Sequence, residues 1–446
     1  MSIVYLSFDR FPSPKGAATH IDAFVRALGG HFGNVTLITI PSEAASLALR
    51  DSPAPHHPRL LVRHPVAVNS RASEWQADGV THHSFEAPGT QFFERVLSFR
   101  SQIWMWWQQH FGRKQNRLPI VHFRSIFEGY PIARHKSRFC RQLVFEVNGL
   151  PSIELKYRYP NCADDRELLR KLIHQEQVCL DAADLVLTVS QVNAEHLQDR
   201  GVPRDRIRVI PNGVDANMFT YRAPPLVNPA ARNQDRPLRI LYSGTMSSWQ
   251  GVGLAIEAVA SYLRDRPAQL TLIGHARPYQ RRDLLQHAWQ LGVQNSVEIL
   301  DPVSRTTLAD LHHQADVILA PLTHNDRNTV QGCCPLKVLE AMSSGTPLVA
   351  SDLPVVRELA TADSEAILVR PGSAKAIKDG LLRLADEPNL AQRLSVAARQ
   401  RVEQYFTWHR AQTSLTNAYD SLLSVCSANS ATRLSNASSR APSTSE

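Results

Sequence analysis

Apolar residues recur along this chain with two periods. Short apolar runs at Ile3–Phe8, Val35–Ile40, Leu60–Arg63, Ile120–Phe123, Leu143–Val147 and Leu185–Val189 read as strands. Between them, Ala17–Leu28, Thr90–Phe111 and Asp164–Asp181 place apolar residues three and four apart, which predicts helices. Strands alternating with helices predict parallel sheets flanked by helices, an α/β class. Residues 221–237 (YRAPPLVNPAARNQDRP) are polar and proline-rich, the composition of a linker. A second alternating set runs from Leu238 to about Ala385, and the last helical segment covers 408–426. The expected layout is therefore one domain over 1–220, a second over 238–407, a closing helix, and a disordered tail over 427–446 (SANSATRLSNASSRAPSTSE).

A chain of 446 residues can give each domain its own core. Its six cysteines are scattered without a CxxC pair and read as reduced thiols. Met1 leads into the strand IVYLSF rather than a leader, and no apolar run is long enough to span a bilayer. A cytoplasmic protein is the expectation, peripheral to the inner face of a membrane if it binds one. The net charge of +8 fits nucleic acid, an anionic membrane or a phosphorylated substrate. No nucleic-acid-binding motif accompanies it, so no such partner is expected. Arg134, His135, Lys136, Arg138 and Arg141 form the densest basic cluster, either a solvated face or one that meets membrane or phosphate. The segment Phe92–Phe111 carries Trp104, Trp106 and Trp107, flanked by Arg95, Arg100, Arg113 and Lys114. It fits a helix packed on a sheet or one lying in a membrane interface.

Candidate chemistry concentrates in Asn328–Asp352, NTVQGCCPLKVLEAMSSGTPLVASD. Pro335 suits a first helical position, Leu336, Leu339 and Met342 follow at helical spacing, and Gly345 supplies a stop before a short strand. The free amides of Cys334, Leu336 and Lys337 then face an anion at a helix N-terminus. Lys337 and Glu340 share one helix face. Together they suit a nucleoside diphosphate, with the cation on phosphate and the carboxylate on the ribose diol; a solvated Lys–Glu pair is the plainer alternative.

PLKVLEAMSSGTPLVASD resembles the donor-binding segment of family-4 retaining glycosyltransferases. ADLVLTVSQVNAEHLQDRGVPRDRIRVIPNGVDANMF (from Ala183) resembles the passage that closes their N-terminal domain. The resemblance covers roughly residues 1–425. It implies the GT-B fold, two Rossmann-like domains facing across a cleft, with nucleotide-sugar bound by the second domain and acceptor by the first. It also implies transfer with retention, in cell-envelope or exopolysaccharide glycan synthesis, to a glycan or lipid-linked acceptor. No Asp-x-Asp occurs in the sequence, and neither a metal nor another cofactor is expected.

The resemblance carries over to individual positions. The donor loop brings Gly332, Cys333, Cys334 and Pro335 with it. In the family, an Arg follows the Gly matched by Gly244 and a Lys precedes the next helix; here these are Thr245 and Gln250. Two cations are thus missing, and Lys337 or Arg327 is expected to replace them. Of the family's two glutamates, the second matches Glu340 and the first falls on Gly332. Gly16 stands at the family's glycine-rich acceptor-side loop, and Asn148 where many members place a His beside the reacting sugar. His122 and Arg124 end the preceding strand and are expected on the acceptor side. Two rivals stay open: a GT-B sugar-nucleotide epimerase, and a non-catalytic module that binds nucleotide-sugar.

Overall fold

A computed structural model describes residues 2–42, 75–111, 119–225, 236–387 and 389–438. The first half is built from β1 (Ile3–Arg10), α1 (Gly16–Phe32), β2 (Val35–Ile40), β3 (Val80–Ser84), α2 (Phe92–Phe111), β4 (Ile120–Phe123), α3 (Ile126–Arg134), α4 (Lys136–Phe139), β5 (Gln142–Val147), α5 (Pro151–Arg158), α6 (Arg166–Ala182), β6 (Leu185–Thr188), α7 (Gln191–Asp199) and β7 (Ile207–Val209). Its sheet is parallel throughout, in the order β3-β2-β1-β4-β5-β6-β7. Alternation along β1 explains the layers. Val4 and Leu6 pack with Phe99, Trp106 and Ile132 on one face, and Ile3 and Tyr5 with Phe24 and Val25 on the other.

The second half comprises β8 (Leu238–Ser243), α8 (Val252–Tyr262), β9 (Ala268–Ile273), α9 (Pro278–Gln290), β10 (Val297–Leu300), α10 (Arg305–Gln314), β11 (Val317–Ala320), α11 (Leu336–Ser344), β12 (Leu348–Ser351), α12 (Pro354–Arg357), β13 (Ile367–Val369), α13 (Ala374–Asp386) and α14 (Leu390–Tyr405). This sheet is also parallel, ordered β10-β9-β8-β11-β12-β13. Strand order reverses at β1/β4 in one sheet and at β8/β11 in the other. Ligands of doubly wound sheets bind beyond such points, where Gly16 follows β1 and Gly244 follows β8.

The closing helix, α15 (Trp408–Ser438), lays Ala411, Leu415 and Tyr419 against α1 of the first domain. Its far end corrects the expected tail. The helix continues past 426 to Ser438, since no Gly or Pro interrupts Trp408–Ser438. The predicted strand Leu60–Arg63, Arg113, Lys114 and most of the linker lie outside the described residues. β3, not predicted, is the strand paired beyond β2. The Trp-rich helix divides: Trp106 and Trp107 are core residues, while Trp104 is partly exposed under the Arg138 guanidinium, 4.8 Å from its ring centroid.

Candidate active site

α11 begins at Leu336. Pro335 caps it in extended conformation (φ −71°, ψ 111°), one residue outside the helix rather than first within it. Gly345 ends it with the left-handed φ of 81°. The amides of Cys334, Leu336 and Lys337 find no acceptor among the described residues. They are free to meet an anion.

Lys337 is 6% exposed. Its Nζ donates to Gln250 Oε1 at 2.6 Å and lies 3.9 Å from the centroid of the Tyr242 ring. Burial lowers its pKa to about 7, against the opposite pull of Glu340 and Cys333. The adjoining loop after β8 is shaped around this ammonium. Gly244 has φ 144°, and a Cβ there would stand 2.8 Å from Lys337 Nζ. The Thr245 carbonyl accepts from the Tyr242 hydroxyl at 2.7 Å. Thr245, Gln250 and Lys337 are thus drawn together at one end of α11.

One turn on, Glu340 is 5% exposed and its Oε1 is 3.4 Å from Arg305 Nη1. Burial raises its pKa, while Arg305 and Lys337 lower it. Arg305 also donates to Thr19 Oγ1 of α1, at 3.2 Å, so it joins the two domains. Arg327 opens a π-helical turn, Arg327–Gln331, and stacks over Trp249 at 4.2 Å. Its Nη2 is 3.0 Å from Glu154 Oε1 of the first domain. It is therefore paired, unlike the spare cation expected from sequence.

Gly332 has φ 76°, and a Cβ there would be 2.5 Å from Ser190 Oγ. The backbone packs against α7 so closely that no side chain fits. Cys333 and Cys334 are buried, and burial raises both thiols. The Cys334 carbonyl accepts from Asn212 Nδ2 at 2.7 Å, and Asn212 Oδ1 is 2.7 Å from His20 Nδ1 of α1.

On the other side, Gly16 opens α1 and a Cβ there would be 3.0 Å from Leu336 Cδ1, so the start of α1 meets α11. His122 lies in β4 and Arg124 directly follows it, with Arg124 Nη1 2.9 Å from Asp9 Oδ2 of β1. They are held by Glu146 of β5, which is 1% exposed. Glu146 accepts from Arg124 Nε at 2.8 Å, Tyr5 Oη at 2.7 Å and Asn148 Nδ2, and pairs with His122 Nε2 at 2.9 Å. His20 Nε2 lies 3.0 Å away. A buried carboxylate requires such partners, and His122 and Arg124 supply two of them. Burial would raise the Glu146 pKa, but His20, Arg124 and His122 hold it well below the usual carboxylate range. Burial lowers the His122 pKa despite the Glu146 contact. For Arg124, burial lowers and Glu146 raises, with a net increase. His122 Nδ1 is satisfied by the Tyr419 hydroxyl at 2.7 Å.

Asn148 sits beyond β5, beside the seam. Glu154, Gln331, Asn212, Arg305, His20 and Glu146 were not singled out from sequence. Glu146 had a readable signal, a lone charge within QLVFEV. The others become site residues only through contacts between distant segments.

Residues 14–217 match the family described as Glycosyltransferase Family 4, and residues 228–401 that described as Glycosyl transferases group 1. A D-inositol 3-phosphate glycosyltransferase of Xylanimonas cellulosilytica is 30% identical over 259 residues, covering 56% of this chain and 59% of that protein. The chain thus spans less than two thirds of the length of such curated relatives. Among solved structures, a sucrose-phosphate synthase from Thermosynechococcus elongatus superposes with a TM-score of 0.71 at 18% identity, over 95% of this chain and 100% of that one. Anabaena HepE in complex with UDP-glucose gives 0.67 at 15% identity, over 94% and 100%. These likenesses establish the GT-B fold.

Proposed function

Since this chain belongs to the group 1, family-4 type of glycosyltransferases, we propose that it moves a sugar from a nucleoside-diphosphate donor to an acceptor hydroxyl with retention. The observation that carries this reading is the buried Lys337 ammonium, 2.6 Å from Gln250 at the N-terminal end of α11. Negative charge grows on the diphosphate as the sugar–phosphate bond breaks. A full cation and free helix amides beside that charge stabilise the transition state more than the ground state. Glu340 takes the ribose diol. The acceptor oxygen bonds to the anomeric carbon from the face the diphosphate leaves, and the leaving phosphate takes the acceptor proton. The donor is expected to be a uridine, adenosine or guanosine diphosphate sugar, with UDP-glucose first to test because HepE, similar in fold, binds it.

The reading makes Lys337 the replacement for the cations absent at 245 and 250. Lys337→Ala should lower kcat on the order of a hundredfold or more, with a smaller change in donor KM. Gln250→Lys should rescue that variant in part. In the wild-type background it should destabilise, because it sets a second ammonium in the Gln250 position beside Lys337. Near-normal kcat in Lys337→Ala refutes the assignment. Release of free nucleoside diphosphate only when acceptor is present separates a transferase from an epimerase, and binding without turnover identifies a non-catalytic module.

A membrane-borne acceptor is favoured by one surface of the first domain. Phe93, Leu97 and Trp104 of α2 are exposed, as are Leu169 and Ile173 of α6, and Arg100 joins the two helices through Gln175. Arg138 lies over Trp104. Apolar side chains bordered by cations suit an anionic lipid surface. The enzyme then works at the cytoplasmic face on a lipid-linked glycan in envelope or exopolysaccharide synthesis.

A further inference from the structure

Arginines from both domains gather around one aromatic pair. Arg158 ends α5 of the first domain, and Tyr159 caps that helix. Arg277 caps the start of α9 in the second domain. The Arg158 guanidinium carbon lies 5.5 Å from the ring centroids of both Phe92 and Tyr159, and that of Arg277 lies 5.6 Å from Tyr159. The two rings stand 5.4 Å apart. Arg277 Nη1 donates to the Arg158 carbonyl at 2.9 Å, which sets the two residues side by side. Arg95 follows Phe92 by one turn of α2 and donates Nε to the Ala87 carbonyl at 3.2 Å. Burial lowers the Arg95 pKa, and the charges of Arg10 and Arg158 act in the same direction.

These cations lack counter-charge. Arg95, Arg158 and Arg277 have no carboxylate partner among the described residues. The acids around them are engaged elsewhere. Glu94 Oε2 accepts from the Thr90 and Gln91 amides, Asp9 pairs with Arg124, and Asp326 is held by Lys156 and Tyr157. Glu86 attracts Arg95 without forming an ion pair. Like charges gathered in this way repel, and a multivalent anion relieves them. Guanidinium forks held against aromatic rings match phosphate oxygens two at a time. No hydrogen bond or ion pair joins them to Lys337 or Glu340 among the described residues. We propose that Arg158 and Arg277, backed by Arg95, bind a phosphate or diphosphate group carried by the acceptor. One cation comes from each domain, so both domains grip the same anion. Placing the phosphate on the acceptor rests on the transferase reading above.

The test titrates geranyl diphosphate and glucose 6-phosphate into protein saturated with UDP, or with ADP or GDP where UDP does not bind, so that the donor cradle is filled. Arg158→Gln and Arg277→Gln are compared with the wild type. Arg158→Gln removes a charge but leaves the carbonyl that Arg277 uses, and Arg158→Lys keeps the charge without the fork. Each Gln variant should weaken the better probe on the order of tenfold or more, and Arg158→Lys by less. Nucleoside diphosphate affinity should stay within about twofold. Tighter binding of geranyl diphosphate assigns a lipid diphosphate, and tighter binding of glucose 6-phosphate a phosphorylated sugar. A wild type that binds neither probe overturns the proposal, as do Gln variants that bind the probes normally. An equal loss for the nucleoside diphosphate also overturns it, since the arginines then serve the donor. If UDP, ADP and GDP all fail to bind, the nucleotide-sugar reading falls, while the phosphate site is still decided by the variants.

Discussion

Donor binding should take up a proton, and Lys337 sets the size of the effect. With its pKa lowered to about 7 by burial, the ammonium is half charged at neutral pH in the free protein. Relative to the ordinary lysine value of 10.5, charging this amine in the free protein costs on the order of 5 kcal/mol more than in water. A diphosphate beside it offsets that cost and raises the pKa in the complex. If the bound value stays well above 9, nucleoside diphosphate affinity should fall about 50-fold from pH 7 to pH 9, roughly 2.3 kcal/mol. Other groups close by do not mimic this. Burial raises Cys333 and Cys334 and carries Tyr242 well above its ordinary value. The sign for the free protein is opposite. Between about 7 and 10.5 the unfolded chain holds more protons at this lysine, so its contribution to stability rises with pH. Calorimetric titration with the diphosphate, in buffers of different ionisation enthalpy, reads both affinity and proton uptake. About half a proton should be taken up at pH 7 and close to one at pH 9. Lys337→Met should lose both the uptake and the slope. A flat profile in the wild type, or a slope that persists in Lys337→Met, refutes the reasoning.

Three further outcomes follow from contacts already described. Glu340→Gln should weaken nucleoside diphosphate binding by about 1–3 kcal/mol, read by calorimetry, because a charged acceptor becomes half donor; unchanged affinity removes the ribose from this position. Gly332→Glu should cost roughly 2–5 kcal/mol in denaturant melts, since the residue must hold a positive φ against Ser190; a stable variant would show that the loop yields. Trp106→Ala should cost about 3–5 kcal/mol as a core truncation, whereas Trp104→Ala should leave stability nearly unchanged but reduce cosedimentation with anionic vesicles at low salt. No vesicle binding by the wild type at low salt would return α2 to a purely internal role.

Much of this architecture could be read along the chain, because parallel strands buried on both faces leave unmistakable apolar runs. The bounds of β2 and β4 coincide with the runs Val35–Ile40 and Ile120–Phe123. β3 escaped notice because VTHHS is an edge strand with little apolar content. α3 was expected only as a helix before Leu143–Val147 that carries the basic cluster at its end; its bounds were not legible because Pro131 lies inside it, although Ser125 and Glu128 form a capping box that marks its start. At the site, the helix of Lys337 and Glu340 was legible from its periodicity and stop. What could not be read is which charges neutralise one another. Arg124 looked available until Glu146 was found beneath it. Arg327 looked free until Glu154 arrived from the other domain. Such pairings depend on tertiary proximity, which local pattern does not encode.

The return of α15 to the first domain bears on how the chain is made. Phe24, Val25 and Leu28 are covered in part by Leu415 and Tyr419, both fully buried. While the polypeptide emerges from the ribosome, the first domain presents this apolar face uncovered until α15 has been synthesised. The buried hydroxyl that satisfies His122 is missing throughout that interval. A fragment ending near residue 220 should therefore aggregate when expressed alone, and supplying a peptide of residues 408–424 in trans should restore its solubility. Completion of the first domain thus waits on translation of α15.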